Sequence, residues 1–309
     1  MNIKKKITLG VLAFCLAAAG AYVFSMYQSV KAVAEQIYEA RKPLPSGPAP
    51  VSAEPEAKRT KIISEERQDP FTVLVLGVDE RQNDRGRSDV MIFLAVNPAK
   101  KSILMFNIPR DTRTNIVGHG TVDKINHAYA FGGVDMSIRS VEEFLQFPVD
   151  HYIKVNMEGF SRIINSLGGV KVQNGLAFDY EGHHFPRGEL HLSGEEALAY
   201  SRMRYEDPRG DLGRNERQRA ILKELIDNAL DISTVFKLQS ILDEVGSSVK
   251  TDITFDEMKI FMSEYRTKLE GIEQEEIRGY GRKINGVWYY MVGEDEKEQI
   301  RNRLSAYMN

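Results

Sequence analysis

An uncharged, apolar run near the amino terminus constrains this chain more than any other feature. It covers residues 7–27, about 21 residues, and a helix needs ~20 residues to cross the hydrocarbon core of a bilayer. Lys4, Lys5 and Lys6 come directly before it. Because positive charges stay on the cytoplasmic side, we expect a cytoplasmic tail over residues 1–6 and a signal-anchor helix over residues 7–27. The rest of a single-pass chain in the cell membrane would then be extracellular.

Two other interpretations of the same run stay open. The alanines at 17–19 could end a cleaved signal peptide, and residues 12–15 (LAFC) weakly resemble a lipoprotein cleavage site. The bulky Phe14 before Cys15 disfavours the lipoprotein. The apolar residues that continue through Phe24 disfavour a cleaved signal, whose apolar core is shorter. All three interpretations place the rest of the chain outside the cytoplasm.

A proline-rich segment separates this run from the apolar runs that follow. Residues 28–42 keep a helical spacing of apolar residues, and prolines from Pro43 to Pro55 then fall among Ser, Ala and charged residues. Such a composition cannot bury a core and favours a semi-extended chain. We therefore predict a helical and proline-rich linker over residues 28–69 and one extracellular domain over residues 70–309.

The composition of the chain excludes several functions. Its 41 Lys and Arg residues are balanced by 44 Asp and Glu residues. No nucleic acid partner is therefore expected, and any anion site must come from a local cluster. A single Cys excludes an internal disulfide and a cysteine-built zinc site. The motifs GxGxxG, GxxxxGKS/T and GxSxG, which mark nucleotide sites and nucleophile elbows, are absent.

The domain alternates apolar runs typical of buried strands with amphipathic helical patterns. The expected strands lie at residues 72–78, 90–96, 103–108, 151–155 and 286–292. The expected helices lie near residues 125–131, 137–147 and 158–167. Core packing, rather than stacking on a sugar, is expected for Trp288 in the last strand. Alternating strands and helices predict a three-layer α/β/α domain with a central mixed β-sheet.

Charged residues flank the first three of these strands. Short connections usually join neighbouring antiparallel strands, so these strands are expected to form a meander. The end of the first strand, the start of the second and the end of the third then share one edge. The residues at that edge are Asp79, Arg81, Arg85, Arg87, Asp89, Arg110 and Asp111. Carboxylates and guanidiniums should therefore converge there.

A second set of charged residues follows a predicted helix start. Ser193 and Glu196 have the spacing of a capping box, so a short helix should begin there. We expect that helix to give way to an extended stretch over residues 200–204. In such a stretch, Arg202 and Arg204 point to the same side.

The next helix should begin near Gly213, and its inward face carries polar side chains. At about 100° per residue, Arg214 and Gln218 fall within the apolar stripe, with Arg217 at its margin. Surface arginines belong on the polar face of a helix, and burying an unpaired guanidinium is costly. An anion should therefore meet these side chains, either a carboxylate of the protein or a ligand.

Together the two sets fit a diphosphate. Arginines offer planar donor forks that suit phosphate oxygens. Two aspartates with few other hard ligands resemble a Mg²⁺ site that water and substrate phosphates complete. Each residue taken alone is more often a surface or turn residue, and Arg214 with Gln218 could form an internal network. The convergence of both sets favours the diphosphate site.

These residues resemble the LytR-CpsA-Psr family over about residues 71–230. The motifs, in the family's order, include LVLGVDER, GRSDVMIFLAVNP, NIPRDT, KINHAYAFGG, HYIKVNMEGF, LSGEEALAYSRMRYED and DLGRNERQR. The resemblance implies enzymes that move a glycopolymer, in the best-known case wall teichoic acid, from a polyprenyl-diphosphate carrier to peptidoglycan. It implies that Asp79 and Asp89 bind Mg²⁺ or Mn²⁺. The diphosphate-binding residues that it implies are Arg87, Arg110, Arg202, Arg204, Arg214, Arg217 and Gln218.

On this resemblance, the C6 hydroxyl of muramic acid is expected to attack the polymer-linked phosphorus while polyprenyl monophosphate leaves. Asp79, Asp89 and Arg110 are the expected catalytic residues, and one of the two aspartates is the expected proton acceptor. The prenyl chain needs an apolar groove, although core packing is the more ordinary role of the side chains that could line it. These side chains are Phe131, Phe160, Ile163 and Ile164.

Two other functional classes stay open. A membrane-anchored, polymer-binding regulator of envelope genes would use the same arginines without turnover. An external polyprenyl-diphosphate diphosphatase would use water in place of the sugar hydroxyl. Products distinguish the three, because only the transferase joins polymer to peptidoglycan.

Overall fold

The computed structural model describes residues 3–42, 69–80, 85–228, 238–265 and 269–309. The α-helices in these ranges are α1 (Ile3–Ile37), α2 (His127–Leu145), α3 (Met157–Leu167), α4 (Gly194–Arg202), α5 (Asp211–Asn228), α6 (Leu238–Ser248), α7 (Phe255–Ile260) and α8 (Glu294–Met308), and a π-helix (Phe261–Tyr265) follows α7. The strands are β1 (Phe71–Val78), β2 (Ser88–Asn97), β3 (Ser102–Asn107), β4 (Arg113–Ile116), β5 (Thr121–Lys124), β6 (His151–Asn156), β7 (Val170–Asn174), β8 (Phe178–Tyr180), β9 (His183–Phe185), β10 (Gly188–Leu192), β11 (Val249–Thr251), β12 (Gly271–Glu276), β13 (Tyr280–Ile284) and β14 (Val287–Met291).

The central sheet has the strand order β11-β6-β1-β2-β3-β12. β1, β2 and β3 pair antiparallel as a meander, as the short connections predict. β6 pairs parallel with β1, and β12 pairs parallel with β3. The sheet is therefore mixed, as expected from the alternation of strands and helices.

Helices cover both faces of this sheet. On one face, α2 and α8 pack over Phe93 and Phe106, whose rings stack at 5.2 Å, and α8 contributes the fully buried Leu304. On the other face, Val73 packs against Tyr265 and side chains of α5 and α7. Because successive strand residues point to opposite faces, burial of both faces explains why the strands are continuous apolar runs. The predicted three-layer arrangement is confirmed.

A second apolar cluster supports the helices α4 and α5. It lies among α3, α4, α5 and the small strands β7 to β10. The Tyr200 ring packs 5.7 Å from Phe178 and 5.5 Å from Phe185, and Met203 and Ile221 are buried beside them. The end of α4 and the start of α5 therefore rest on a packed base.

Helix α2 joins the two helices predicted at 125–131 and 137–147 across a kink. Gly132 and Gly133 have non-helical backbone angles, and Gly133 has φ of 68° and ψ of −150°, a region open mainly to glycine. The interrupted helical ladder leaves carbonyls without their usual partners. Arg85, which lies just before β2, donates from Nη1 to the carbonyl of Phe131 at 3.1 Å, so the kink also binds this arginine.

Helix α1 includes the expected membrane span. Over Leu12–Ile37 it is long and apolar enough to cross a bilayer, and it is the one such helix among the described residues. This agrees with a single-pass anchor. The ring of Tyr27, at the end of the expected span, packs edge-on at 5.6 Å against Phe255 of α7.

The carboxyl-terminal part of α1 docks on the domain. Ala34 and Ile37 are buried, and α1 contacts α6 there. After the helix, Arg41 pairs with the buried Asp252 at 2.6 Å. The first part of the expected linker, residues 28–42, therefore packs against the domain. Most of its proline-rich part lies outside the described residues.

The β13–β14 hairpin departs from the sequence-based expectation. Trp288 is 39% exposed, so its predicted role in the core is wrong. Its indole lies over Gly281, where an added Cβ would come within 2.8 Å of the ring. Tyr290 on the same strand is buried and donates to the carbonyl of Ile277 at 3.1 Å. The hairpin extends past the core that it covers, so only one end of β14 is buried.

Candidate active site

The ends of three sheet strands and of the helices α3, α4 and α5 line a cavity of about 250 Å³. Asp79 follows β1, Asp89 lies at the start of β2, and Arg110 follows β3. The residues that line the cavity are Asp79, Asp89, Val90, Arg110, Met157, Tyr180, Ser201, Arg202, Arg204, Tyr205, Arg214 and Gln218. Members of both predicted sets thus meet in one cavity: Asp79, Asp89 and Arg110 of the first, and Arg202, Arg204, Arg214 and Gln218 of the second.

The turn between β1 and β2 brings the two aspartates to one edge. The backbone N–H of Asp79 donates to the carbonyl of Arg87 at 3.3 Å, which closes the loop. Gly86 has φ of 67°, and a Cβ there would lie 2.0 Å from the Asp79 carbonyl oxygen, so glycine is required. The side chain of Arg87 is exposed and does not line the cavity. Arg81 lies outside the described residues.

Arg110 binds the carboxylate side of the cavity. Its Nη1 lies 3.0 Å from Oδ2 of Asp89, and its Nε lies 4.0 Å from Asp111. Asn126 donates from Nδ2 to the other oxygen of Asp89 at 3.1 Å. Burial lowers the pKa of Arg110, but the negative charges of nearby aspartates, above all Asp89, outweigh burial and raise this pKa overall. Arg110 is therefore a fixed cation.

Arg214 is a deeply buried cation, only 4% exposed. Its Nη2 lies 2.9 Å from Asp211, and its Nε has no hydrogen-bond partner among the described residues. Burial lowers the pKa of Arg214; the charge of Asp211 opposes this effect and the positive charge of Arg110 adds to it. A buried guanidinium with an unused donor and a cationic neighbour calls for an anionic ligand.

Arg202 and Arg204 reach the cavity from a backbone that differs from the predicted one. Ser193 and Glu196 form the predicted capping box, but α4 extends through Arg202. The extended conformation expected over residues 200–204 is therefore wrong for the first three of them. Tertiary packing extends the helix, because Tyr200 is buried in the second apolar cluster.

These two arginines are more exposed than Arg214. The side chain of Arg202 is 37% exposed, and its Nη1 lies 3.7 Å from Glu181. Arg204 donates from Nη2 to the hydroxyl of Tyr205 at 2.6 Å, and its guanidinium lies 4.6 Å from the centre of that ring. Tyr205 is 80% exposed, so this pair forms the solvent side of the cavity.

Arg217 lies behind the cavity and does not line it. It donates from Nε to the carbonyl of Tyr200 at 3.1 Å and from Nη2 to that of Met203 at 2.5 Å. Its Nη1 lies 2.6 Å from Asp207, and both side chains are buried. These contacts tie α5 to the segment that carries Arg202 and Arg204. Its predicted contact with diphosphate stays a prediction.

The carboxylate oxygens that the cavity offers to a metal ion fit magnesium better than zinc. Asp79 and Asp89 both line the cavity. Within the described ranges, no group of three or more His, Cys, Asp or Glu residues could hold a metal ion. Zn²⁺ sites need three or four protein ligands, usually with nitrogen or sulfur. Mg²⁺ is held by one or two carboxylates, with water and substrate phosphates as the other ligands.

Several residues of the site were not found from the sequence. Tyr180 lines the cavity from a segment without a motif, and Tyr205 lines it from the motif LSGEEALAYSRMRYED, in which it was given no role. Asp211, just before the predicted helix start near Gly213, was not among the predicted site residues, yet it pairs with Arg214. Its spacing of three residues from Arg214 was the available signal, because such residues are neighbours on a helix.

The four side chains proposed for a prenyl groove do not form one lining. Ile164 is fully buried in the second apolar cluster, and Phe160 packs against that cluster. Phe131 is 39% exposed and stacks on His119 at 3.9 Å. The apolar residues that line the cavity itself are Val90 and Met157.

Comparison with known proteins agrees with the family resemblance of the sequence motifs. The model of the LytR_cpsA_psr family matches residues 25–306. The chain is 42% identical over 309 residues to the polyisoprenyl-teichoic acid–peptidoglycan teichoic acid transferase TagU of Bacillus cereus, covering 99% of this chain and 98% of that protein.

Solved structures share the fold. The crystal structure of TagU of B. subtilis superimposes with a TM-score of 0.64 at 44% identity, over 78% of this chain and 97% of that one. The LytR-CPS2A-psr family protein YwtF (TagT) with bound octaprenyl pyrophosphate lipid gives a TM-score of 0.63 at 30% identity, over 82% of this chain and 95% of that one.

Proposed function

The chain belongs to the LytR_cpsA_psr family, and we propose that it is a phosphotransferase that moves wall teichoic acid from a polyprenyl-diphosphate carrier to peptidoglycan. Its relatives carry the name of that activity, and one solved relative holds a polyprenyl pyrophosphate. The observation that carries the proposal is the cavity itself, in which four arginines face two aspartates.

The arginines account for binding of the diphosphate. Arg110, Arg202, Arg204 and Arg214 all line the cavity and supply donor forks for phosphate oxygens. The unused Nε of the buried Arg214 is suited to a ligand oxygen, since a buried donor without a partner is costly. Arg110 and Arg214 are held in place by ion pairs with Asp89 and Asp211, so these two donors would stabilise charge that grows on the phosphorus oxygens during transfer.

In the proposed reaction, the C6 hydroxyl of muramic acid attacks the phosphorus that carries the polymer. A new P–O bond forms to the sugar, and the bond from that phosphorus to the bridging oxygen breaks. The products are a phosphodiester on peptidoglycan and polyprenyl monophosphate. Asp79 or Asp89 accepts the hydroxyl proton, since both carboxylates line the cavity. Arg110 stabilises the charge on the phosphorus oxygens.

A metal ion fits this site as a proposal. Asp79 and Asp89 would hold Mg²⁺ or Mn²⁺, since both offer hard oxygen ligands and, in the described ranges, no group of three or more His, Cys, Asp or Glu side chains could hold a metal ion. When bound, such an ion would neutralise charge on the diphosphate.

Helix α1 supports a proposal for where the site lies in the cell. We propose that this helix crosses the membrane with its amino terminus in the cytoplasm, because Lys residues before an apolar run usually stay on the cytoplasmic side. The domain is then extracellular, on the side where peptidoglycan lies. The docked end of α1 keeps it next to the bilayer that holds the prenyl chain of the carrier.

The test is product analysis with full-length protein in detergent micelles, a carrier-linked teichoic acid and a peptidoglycan oligomer. We expect a covalent polymer–glycan conjugate and one polyprenyl monophosphate per conjugate. Release of monophosphate without a conjugate would instead identify a diphosphatase. Binding of the carrier without any product would identify a regulator or a polymer-binding protein.

A further inference from the structure

Hydrogen bonds link three buried polar side chains, and this hydrogen-bonded chain leads from the cavity wall into the layer behind it. Gln218 lines the cavity and accepts a hydrogen bond at Oε1 from Nδ2 of Asn107 at 3.0 Å. Arg219 donates from Nη1 to Oδ1 of Asn107 at 2.9 Å. The three residues are 7%, 3% and 5% exposed, in the order Gln218, Asn107, Arg219. Water therefore has little access to their polar atoms.

The charged end of this chain sets the direction of every hydrogen bond in it. A guanidinium only donates, so the oxygen of Asn107 must face Arg219. The NH₂ group of Asn107 then faces Gln218, which must present its own oxygen. Reversal of either amide would place donor against donor or acceptor against acceptor in a buried site, which is unfavourable.

The rest of Arg219 is held on the side away from the cavity. Its Nε donates to Oε1 of Gln274 on the edge strand β12 at 3.1 Å. Asn107 is the last residue of the neighbouring strand β3, and it is paired in register with Glu276. Strand β3 thus holds Asn107, and strand β12 holds Gln274; both residues accept hydrogen bonds from Arg219. The end of the hydrogen-bonded chain that lies away from the cavity is therefore anchored in the sheet.

One end of Gln218 remains for a ligand. Its Nε2 has the carbonyl of Ser201 as its nearest acceptor, at the long distance of 3.4 Å, and Ser201 lines the same cavity. An NH₂ group only donates, and the oxygens of a fully ionised diphosphate only accept. The hydrogen-bonded chain therefore leaves the NH₂ group of Gln218 as a donor toward the cavity, which is what the accepting oxygens of a diphosphate require.

We propose that Asn107 and Arg219 are positioning residues, which hold the amide of Gln218 with its NH₂ group toward the cavity so that Gln218 binds diphosphate as a donor. This inference rests on the proposed function, because it takes a diphosphate as the ligand. It adds to the arginines a neutral donor whose orientation is set by a charge two side chains away.

The substitution Asn107→Asp tests the proposal. The new carboxylate still accepts from Arg219, so the buried cation keeps a partner and the melting temperature should not fall. It cannot donate to Gln218, whose amide should then turn its NH₂ inward and its oxygen toward the cavity. We expect the affinity for geranyl diphosphate, measured by calorimetry on full-length protein in micelles with Mg²⁺, to fall about ten- to a hundredfold.

A double-mutant cycle with Gln218→Ala separates orientation from simple charge repulsion. If Asn107 acts through Gln218, then Asn107→Asp should change the affinity less than about twofold in the Gln218→Ala background. If the added negative charge merely repels the ligand, the loss should be equal in both backgrounds, and the proposal is overturned. Unchanged affinity of the single Asn107→Asp variant would overturn it as well.

A second variant covers the case in which Asn107→Asp does not fold. Asn107→Leu removes both hydrogen bonds and leaves the Gln218 amide unfixed, so a smaller loss is expected, again only when Gln218 is present. An equal loss in both backgrounds would overturn the proposal here too. If the wild-type protein itself fails to bind geranyl diphosphate, the diphosphate site falls and this inference falls with it. If the wild-type protein binds geranyl diphosphate but the cycle shows no coupling between Asn107 and Gln218, this inference is rejected and the diphosphate site is not.

Discussion

Nη1 of Arg110 lies 3.0 Å from Oδ2 of Asp89, so an ion pair joins the end of β3 to the start of β2 at the cavity. A guanidinium has five N–H donors, so a phosphate that binds Nη1 would compete with this carboxylate, whereas one that binds another nitrogen would leave the pair intact. In the first case an oxygen of Asp89 would become available as a metal ligand or proton acceptor. Under the proposed function, one guanidinium would then link binding of the ligand to preparation of the carboxylate.

Replacement of Arg110 by Ala should lower the ligation rate at least about a hundredfold, because it removes a fixed donor from the transferring phosphorus oxygens. The measurement is the initial rate of conjugate formation. Lys223→Ala is the matched control, since Lys223 is an exposed cation of α5 that pairs with Asp227 on the surface. Undiminished ligation by the Arg110→Ala variant would remove our central site assignment.

Removal of the metal should stop the reaction. We expect EDTA to abolish ligation by the wild-type protein and added Mg²⁺ or Mn²⁺ to restore it. A variant with both Asp79→Ala and Asp89→Ala should stay inactive at any metal concentration, because the cavity then has no carboxylate ligand. Full activity in excess EDTA would exclude a metal requirement.

Arg217 and Arg202 should respond differently to substitution. Arg217→Met leaves the carboxylate of Asp207 buried without its partner and should lower the free energy of unfolding by about 3–5 kcal/mol. Arg202→Ala removes a half-exposed side chain and should change that free energy by no more than about 0.5 kcal/mol, while weakening binding of geranyl diphosphate. Urea unfolding and calorimetry measure the two effects. Equal stabilities would show that Arg217 is not a structural residue.

The stability of the domain should depend on pH through Asp252. Burial raises the pKa of Asp252, but hydrogen bonds and charges from His151, Arg41 and the Tyr152 N–H outweigh burial and lower it below its usual value. A carboxylate with a lowered pKa in the folded state stabilises the fold above its unfolded pKa, about 3.9. That contribution is lost as the pH falls through the folded pKa.

We therefore expect the unfolding free energy to decrease below about pH 4. The decrease should be steeper for the wild-type protein than for Asp252→Asn, whose side chain does not titrate. Urea titrations at a series of pH values between neutral and strongly acidic conditions measure this slope. Identical slopes for the two proteins would show that Asp252 does not carry the pH dependence.

The residues that meet at one edge of the sheet could be predicted because only short segments of sequence determine them. Short turns join β1, β2 and β3, so the meander follows from connection length, and Asp79, Asp89 and Arg110 meet without any long-range contact. The start of α4 could also be predicted from local sequence, since Ser193 and Glu196 form a capping box by themselves.

The other half of the site depends on packing that no local pattern contains. The burial of Tyr200 extends α4 to Arg202, and Tyr180 reaches the cavity from a distant strand. Helical periodicity placed Arg217 at the margin of the apolar stripe. Only the fold shows that it binds the loop behind the cavity. Trp288 looked like a core residue because periodicity does not tell where a hairpin leaves the core.

The docked end of α1 bears on where the domain would lie relative to the membrane. The helix that we place in the membrane continues without a break to Ile37, and Tyr27 at the end of its apolar run is in contact with Phe255 of the domain. With the topology and activity that we propose, this contact would hold the cavity at a constant height above the headgroups. We therefore expect polymer to be attached only to glycan strands that reach that height, in the innermost layer of the wall.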